Sequence, residues 1–251
     1  MAGHSHAANI KHRKAAVDKK RSKLWGKLSK AIIVAAQMGG GDPNANSRLR
    51  NAIDDAKAVS MPKDNIERAI KKGTGELASE AFEDVLYEGY APGGVAILCE
   101  ITTDNRNRTA PEIRKLFEIY EGKLGATGCV SYLFDRKGLF LIPADKVAEE
   151  RLMEIGLEAG ADDIHREGDF FEVTCTPEFY AGLGEALETA GIAIDSRQLT
   201  RIPQSYVAVD DLETARKLLK FIEALDDHDD VLSVSSNYDI PDEALAEIAG
   251  A

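Results

Sequence analysis

The chain has 251 residues, 44% of them hydrophobic and 29% charged, with a formal net charge of −12. This composition is that of an ordinary folded protein, and the length predicts one to three domains. No run approaches the roughly 18 consecutive apolar residues of a membrane-spanning helix, and the N-terminus lacks the apolar core of a secretory signal. The three cysteines are far apart and form no CxxC, which predicts free thiols in a reducing compartment. We therefore expect a cytoplasmic protein.

The charge is distributed very unevenly. The segment 1–75 holds 16 basic and 6 acidic side chains, a net charge of +10, whereas the segment 76–251 has a net charge of −22. The segment from Asn9 to Lys30 holds nine Lys or Arg and a single acid, Asp18. A solvated charged face is one interpretation, but a run this long and one-sided favours a polyanionic partner such as nucleic acid.

Residues 2–20 lack apolar periodicity, which predicts a flexible or extended basic arm. From Arg21 the pattern becomes helical, with Leu24, Leu28, Ile32 and Ala35 on one apolar stripe. On another face, an arc of about 80° at ~100° per residue holds a row of lysines. These are Lys20, Lys23, Lys27 and Lys30. The row is either a solvated face or a contact surface for phosphates.

The glycines of Gly39–Pro43 lack the spacing and the lysine of a phosphate loop, so they predict a helix stop. A second helix is expected from about Asn46 to Val59. A third is expected from Met61-Pro62 to Lys72, with the proline at its first helical position. Residues 1–79 thus form a predicted basic helical domain.

After Gly75 the pattern predicts a strand hairpin, Phe82–Tyr90 and Val95–Thr102, with a turn at Ala91–Gly94. A helix follows, with Pro111 in its first turn. Asp104, Asn105 or Asn107 would cap this helix, and the arginines and asparagines around its start predict either capping alone or a second contact for an anion or RNA. Gly128–Phe134 is the next predicted strand.

Residues 136–202 predict the order βαββαβ, which is typical of a ferredoxin-like unit. Residues 205–235 add a strand, a helix and a strand that we expect to complete the earlier sheet, and a short helix is expected from Pro241. The predicted fold class is α+β with three domains. Their bounds are 1–79, 80–134 together with 204–251, and the inserted 135–203.

No motif for nucleophilic, metal-dependent or nucleotide chemistry occurs. The acids of Asp226–Asp230 stand at the end of an element, so we expect solvated loop charges. The triplet Asp227-His228-Asp229 suits a turn better than a metal site. We expect no enzyme activity, no cofactor and no metal.

Several segments resemble the YebC/PmpR family over the whole chain. They are Gly3-His4-Ser5, ANIKHRK (8–14), GGGDPNAN (39–46), MPKDNIERAIKKGTGE (61–76), YEGYAPGG (87–94), TDNRNRT (103–109) and YLFDRKG (132–138). The resemblance implies an N-terminal helical domain, an α+β domain and a ferredoxin-like domain inserted into it. It also implies a cytoplasmic, non-enzymatic regulator of gene expression.

Two partners are consistent with the resemblance. Bacterial members are described as DNA-binding transcriptional regulators, whereas proteins similar to the mitochondrial translational activator of cytochrome oxidase act on the ribosome. A protein-interaction adaptor is a third hypothesis, and we expect neither a membrane nor a small-molecule substrate. The residues predicted to bind DNA or ribosomal RNA are Asn9, Lys11, His12, Arg13, Lys14, Lys19, Lys20, Arg21, Lys23, Lys27, Lys30, Arg48, Arg50, Asn105, Arg106, Asn107 and Arg108.

Overall fold

Three helices open the described part of the chain. The structure is a computed structural model that describes residues 21–78 and 81–249. The helices are α1 (Arg21–Gly39), α2 (Ser47–Ala58) and α3 (Lys63–Gly73). All three predicted helices are confirmed, with one correction: Pro62 precedes the first residue of α3 instead of opening its first turn.

The three helices share one apolar core, because each presents a stripe with a period near 3.6 residues. Residues predicted from these stripes are buried in that core: Ile32, Ala35, Leu49, Ala52, Ile53, Ala56, Ile66 and Ala69. Trp25 packs against the same core, and its Nε1 donates to the carbonyl of Val59 at 3.3 Å.

The glycine-rich turn after α1 is a helix stop, as predicted. Gly40 has φ +82°, a left-handed conformation that favours glycine. A Cβ at Gly39 would lie 2.6 Å from Nδ2 of Asn46. That amide donates to the carbonyls of Ala35 and Gly40, and its Oδ1 accepts the N–H of Leu49 at the start of α2. The turn is therefore packed closely against Asn46 and hydrogen-bonded within the protein.

The predicted hairpin is also confirmed. Strands β1 (Glu83–Tyr90) and β2 (Ala96–Thr103) pair antiparallel over eight residues, joined by a 3₁₀ turn at Pro92–Gly94. Gly93 and Gly94 both have positive φ there, of 79° and 77°.

Helix α4 (Arg106–Ile119) starts earlier than its proline suggests. The side-chain oxygen of Asn105 accepts the N–H groups of Asn107 and Arg108 at 3.1 and 3.2 Å, which caps the helix one residue before Arg106. Pro111 therefore lies in the second turn, and its predicted place in the first turn was wrong.

The predicted strand at Gly128–Phe134 was wrong. The paired strand here is instead β3 (Lys123–Leu124), and Ser131–Leu133 forms a 3₁₀ turn. The N–H groups of Gly128, Val130 and Ser131 donate to the carboxylate of Glu88 at 2.7–2.9 Å, so this backbone bonds to a side chain instead of a strand.

Residues Leu133–Gln204 form one compact unit. Its elements are β4 (Phe134–Pro143), α5 (Glu149–Glu158), β5 (Ala161–Glu167), β6 (Phe170–Cys175), α6 (Tyr180–Thr189) and β7 (Ser196–Pro203). The strand order is β5-β6-β4-β7 with every pair antiparallel, and both helices contribute to one core. The predicted ferredoxin-like fold is confirmed.

The chain then returns to the first sheet. The last elements are β8 (Val207–Ala208), α7 (Leu212–Asp226), β9 (Val231–Ser236), β10 (Tyr238–Asp239) and α8 (Asp242–Ala249). Strand β9 pairs antiparallel with β2 and completes the sheet order β3-β1-β2-β9, as predicted. The predicted strand at Tyr206–Val209 is shorter and pairs with β10 in a separate parallel pair.

Helices α4 and α7 bury the core of this α+β part. Phe117 of α4 meets Phe221 of α7 edge to face, with ring centroids 4.9 Å apart, and Tyr120 stacks on the same ring at 5.5 Å. Ile97 and Ile101 of β2 belong to the same core. The last residues of α7 and the first of β9 are thereby held in place.

In the described chain, residues 21–132 and 205–249 form the second compact unit, which contains both the helical and the α+β parts. The predicted bounds of three domains stay a prediction. Cys99 and Cys175 are buried and Cys129 is half-buried, and the prediction of free thiols is confirmed. Among the described helices, none is long and apolar enough to cross a membrane.

Candidate nucleic-acid interface

The lysines of α1 that the sequence predicted to face a polyanion do face one, but it belongs to the same chain. We call Lys23, Lys27 and Lys30 the lysine row, and residues 226–230 the acidic segment. Nζ of Lys23 donates to the carbonyl of Asp227 at 2.9 Å and lies 3.5 Å from the carboxylate of Asp229. Nζ of Lys27 donates to the carbonyl of Asp226.

Lys30 completes this contact. Its Nζ donates to the carbonyl of Asp229 at 3.1 Å and to Oδ1 of Asp230 at 2.6 Å. All three ammonium groups thus reach the end of α7 and the loop that follows it. The lysine row is therefore neither a free contact surface nor a simple solvated face. In this structure it forms an intramolecular contact with the acidic segment.

The helix dipole accounts for the attraction. The carbonyl end of α7 carries partial negative charge, and the last turn of α7 contains no basic residue of its own. Four aspartates, Asp226, Asp227, Asp229 and Asp230, add full negative charges at that end. The lysine row supplies the cations that this helix end lacks.

Asp230 is the buried centre of the contact, with 3% of its surface exposed. Its Oδ2 accepts from Nη2 of Arg108 at 2.8 Å and from the hydroxyls of Thr109 and Thr103 at 2.7 and 3.3 Å. Burial alone would raise the pKa of Asp230, but the hydrogen bonds from Lys30, Arg108 and Thr109 outweigh it and hold the pKa far below its usual range. The expectation that this acid is a solvated loop charge was wrong.

His228 has both ring nitrogens engaged. Nδ1 accepts the N–H of Asp230 at 3.2 Å, which assigns the ring proton to Nε2, and Nε2 lies 3.0 Å from the carboxylate of Glu112. This is the turn that the sequence favoured over a metal site. Within residues 21–78 and 81–249, no group of three or more His, Cys, Asp or Glu is placed to hold a metal ion.

The polar residues at the start of α4 are largely used within the chain. Asn105 caps the helix, which confirms the capping interpretation for that residue. Arg106 lies 3.6 Å from the carboxylate of Glu83, and Arg108 bonds to Asp104 at 2.8 Å as well as to Asp230. The side chain of Asn107 is exposed and bonds to no other described residue. A further contact with RNA at this helix start stays a prediction.

The two arginines of α2 are also engaged. Arg48 pairs with Asp84 on β1 and contacts the sulfur of Met38. Arg50 donates to the carbonyls of Pro43 and Asn44 at 3.0 and 3.1 Å, across the turn before its own helix. Both side chains therefore fix local structure in this conformation.

The remaining predicted contact residues lie outside the described residues. They are Asn9, Lys11, His12, Arg13, Lys14, Lys19 and Lys20. Arg21 is the first residue of α1, and its side chain is likewise outside the description.

Helices α2 and α3 are joined by only four residues, Val59–Pro62, a spacing that helix-turn-helix motifs also use. The exposed side chains of α3 carry both signs of charge: Lys63, Asp64, Glu67, Arg68 and Lys71. Lys63 is moreover 3.5 Å from Glu67. This face therefore has little net attraction for phosphates.

A cleft of about 840 Å³ runs beside the lysine row. Lys23, Lys30 and Arg108 line it from one side, and the partly apolar face of α4, including Leu116 and Ile119, lines it from another. Its charged groups have both signs. The cleft leaves the ammonium groups of Lys23 and Lys30 accessible from solvent.

Sequence reasoning missed the acidic segment as the partner of the lysine row. A signal was present: four aspartates follow directly on a predicted helix, at the end where negative charge is least favourable. Cations nearby would stabilise such a cluster, and the last turn of α7 contains no basic residue. Those cations lie near the opposite end of the chain, and the fold alone determines their position.

Comparison with known proteins agrees with this architecture. Residues 5–76 match the model of the TACO1/YebC protein N-terminal domain, and residues 82–238 match that of the TACO1/YebC second and third domain. A conserved hypothetical protein from Aquifex aeolicus has a similar crystal structure, with a TM-score of 0.84 and 51% identity over 95% of this chain and 98% of that one.

Full-length relatives are similar throughout. A protein of Rhodopirellula baltica, named as a probable transcriptional regulatory protein, is 56% identical over 98% of this chain and 100% of its own length. A protein of Rubrobacter xylanophilus with the same name is 52% identical over 100% of both chains. The chain belongs to the TACO1/YebC family.

Proposed function

We propose that this protein is a nucleic-acid-binding regulator of gene expression that acts in the cytoplasm without catalysing a reaction. The observation that carries the proposal is the division of charge, with +10 in the segment 1–75 and −22 in the segment 76–251. Such a chain attracts a polyanion at one end and repels it along the rest. The names of its relatives as probable transcriptional regulatory proteins support a regulatory role, and DNA is the partner that those names favour.

The basic residues before α1 would form the primary contact. Lys23, Lys27 and Lys30 are bonded within the chain, and so are Arg48 and Arg50. The other six cations between Asn9 and Lys30 are Lys11, Arg13, Lys14, Lys19 and Lys20, which precede α1, and Arg21, its first residue. Six lysines and arginines on phosphates would bind without reading sequence.

Folded RNA, including the ribosome, is a second candidate partner. The specific observation in its favour is the mixed charge of the exposed face of α3, which makes this helix a poor fit for the major groove of DNA. Recognition of folded RNA works through shape and phosphate contacts, for which a basic segment is sufficient.

The salt dependence of binding tests the proposal. With six phosphate contacts, log K should fall against log salt with a slope of about −5 on duplex DNA and about −4 on single strands. Replacing Lys11, Arg13 and Lys14 by Gln should flatten the slope on duplex DNA by about 3. The matched control replaces Lys123, Lys146 and Lys220, which are exposed on the acidic part of the chain, and should leave it almost unchanged.

An equal effect of both triple variants would refute the basic segment as the contact. The choice between DNA and RNA follows from cosedimentation with ribosomes in the presence of competitor duplex DNA. Release from ribosomes by DNA at concentrations near its own dissociation constant would support a transcriptional role. Retention on ribosomes would support a translational one.

A further inference from the structure

The acidic segment resembles a short stretch of nucleic-acid backbone in its charge. Four carboxylates lie within five residues, and three main-chain carbonyls of the same segment accept hydrogen bonds from ammonium groups. The anionic groups lie at the end of α7 and in the turn that follows it, opposite a row of lysines on one helix face. This is the arrangement in which a lysine row would meet phosphates.

The stability of α7 does not explain these charges. Acids at the carboxyl end of a helix oppose its dipole and are unfavourable there. The helix has a suitable acid, Glu213, in its first turn, and Asp211 caps its start by accepting the N–H of Thr214 at 2.8 Å. The aspartates at the other end become favourable only through the cations that α1 brings.

The contact is also of a kind that a competitor can displace. The side chains of Lys23 and Asp229 are 50% and 76% exposed, and pairs at such exposure are weak and screened by salt. Lysine side chains have four flexible bonds and can turn into the neighbouring cleft without any movement of α1. Burial lowers the pKa of Lys27, while Asp226, Asp227 and Asp229 act in the opposite direction, so the acidic segment stabilises the charge of this ammonium group.

Release of the lysine row would not leave Asp230 without partners. Its Oδ2 keeps Arg108, Thr109 and Thr103, all of which lie at or near the start of α4. Lys30 bonds only to Oδ1 of this carboxylate. The buried part of the network can therefore persist while the exposed part exchanges partners.

We propose that the acidic segment is an intramolecular competitor of nucleic acid, which occupies the lysine row in the free protein and is displaced by phosphates on binding. The inference rests on the proposed function and concerns the regulation of the same site. A ligand must offer several adjacent phosphates to replace several contacts at once. Binding is thereby weakened for isolated anions and favoured for a continuous backbone.

A double-mutant cycle tests this. The release variant carries Asp226→Asn, Asp227→Asn and Asp229→Asn, and leaves the buried Asp230 intact. The charge control carries Glu118→Gln, Asp169→Asn and Asp210→Asn, three exposed acids outside the acidic segment. Each is measured by fluorescence anisotropy over a salt series, with a 20-base-pair duplex DNA in one arm and a 20-nucleotide RNA in the other.

The release variant should bind about three- to tenfold more tightly than the charge control. It removes the exposed Lys23–Asp229 ion pair and the nearby charges of Asp226 and Asp227, while the main-chain carbonyls stay in place. Its slope against log salt should steepen by about 1–2, since each new phosphate contact adds about 0.9 on duplex DNA. Both effects should largely vanish when Lys23→Gln and Lys27→Gln are added, because only Lys30 of the lysine row then remains, and it stays bonded to Asp230.

The outcomes separate this inference from the proposed function. If wild type and release variant bind neither nucleic acid at low salt, the proposed function fails and the competitor role with it. If wild type binds but the release variant matches the charge control, the proposed function stands and the competitor role is refuted. An effect that persists in the Lys23→Gln, Lys27→Gln background would also refute it, since long-range charge would then be the cause.

Discussion

Two carboxylate-centred networks hold exposed loops of the α+β part, and they differ in what they use as partners. Glu88, with 2% of its surface exposed, accepts three main-chain N–H groups from residues 128–131. The acidic segment instead meets ammonium groups on flexible side chains, of which Lys23 is 50% and Lys30 21% exposed. In the Glu88 network the donors belong to the main chain and are held by the fold. At the acidic segment the donors are at the ends of flexible lysine side chains.

The difference separates a permanent contact from an exchangeable one. Main-chain donors cannot leave Glu88 unless the loop unfolds, and a buried carboxylate is little affected by salt. Lysine side chains can leave the acidic segment one at a time, and their exposed pairs weaken as salt is added. Carboxylates thus hold a rigid loop in one place and form a displaceable contact in the other.

The largest loss of stability is expected from Glu88→Gln. The amide keeps one acceptor oxygen but turns the other into a donor facing main-chain N–H groups, so buried donors lose their partner. We expect a loss of about 2–4 kcal/mol in the free energy of unfolding, measured by urea denaturation with circular dichroism. The loss should be the same at low and high salt. Glu118→Gln, on the exposed face of α4, is the control and should change stability by less than about 0.5 kcal/mol.

Asp230→Asn should have the next largest effect, a loss of about 2–3 kcal/mol at pH 7, because Lys30 and Arg108 lose a buried countercharge. Since the folded pKa of Asp230 is lowered, its contribution is fully present above the unfolded pKa near 4 and is lost as the pH falls through the folded value. The difference between wild type and variant should therefore shrink when unfolding is repeated at pH 3. A difference that grew on acidification would contradict the assignment.

Replacing Lys23 and Lys27 by Gln should cost about 0.5–1.5 kcal/mol at 50 mM salt. In 1 M salt, where the screening length is ~3 Å, most of this loss should disappear. Trp25 is the only tryptophan and packs in the helical core, so its fluorescence reports this domain directly. A loss of stability that did not depend on salt would show that the Lys23 and Lys27 contacts are permanent, like those of Glu88, and would contradict their exchange.

Arg48→Gln should have the smallest effect. Arg48 and Asp84 are 45% and 38% exposed at their side chains, so their pair should contribute about 0–1 kcal/mol. Urea unfolding of the variant checks this. A loss as large as that expected for Asp230→Asn would show that exposed pairs in this chain are stronger than the account assumes.

The sequence predicted what depends on local pattern. Leu49, Ala52, Ile53 and Ala56 recur with helical spacing, and all are buried in the core of the helical domain. The βαββαβ order of 136–202 likewise predicted a sheet whose strands pair as expected. Periodicity succeeds because burial of one face is a property of the segment itself.

The predictions that failed concern contacts between residues that are far apart in the sequence. Gly128 and Val130 lie in a segment that the sequence predicted as a strand, yet their N–H groups bond to the carboxylate of Glu88, on a strand much earlier in the chain. The lysine row was recognised as a cationic face, but its partner lies near the opposite end of the chain. For seven of the predicted contact residues, from Asn9 to Lys20, the structure offers no geometry, and their role stays a prediction.

Carbodiimide crosslinking tests the exchange of the lysine row most directly, since it joins a lysine to a carboxylate only when the two are in contact. In the free protein, mass spectrometry should detect a link between Lys23 and Asp229, whose atoms lie 3.5 Å apart. Lys217 and Glu121, 3.3 Å apart on the acidic part, provide the internal control. At low salt, saturating nucleic acid should remove the Lys23–Asp229 link and leave the control link unchanged. Persistence of both links at saturation would contradict the account.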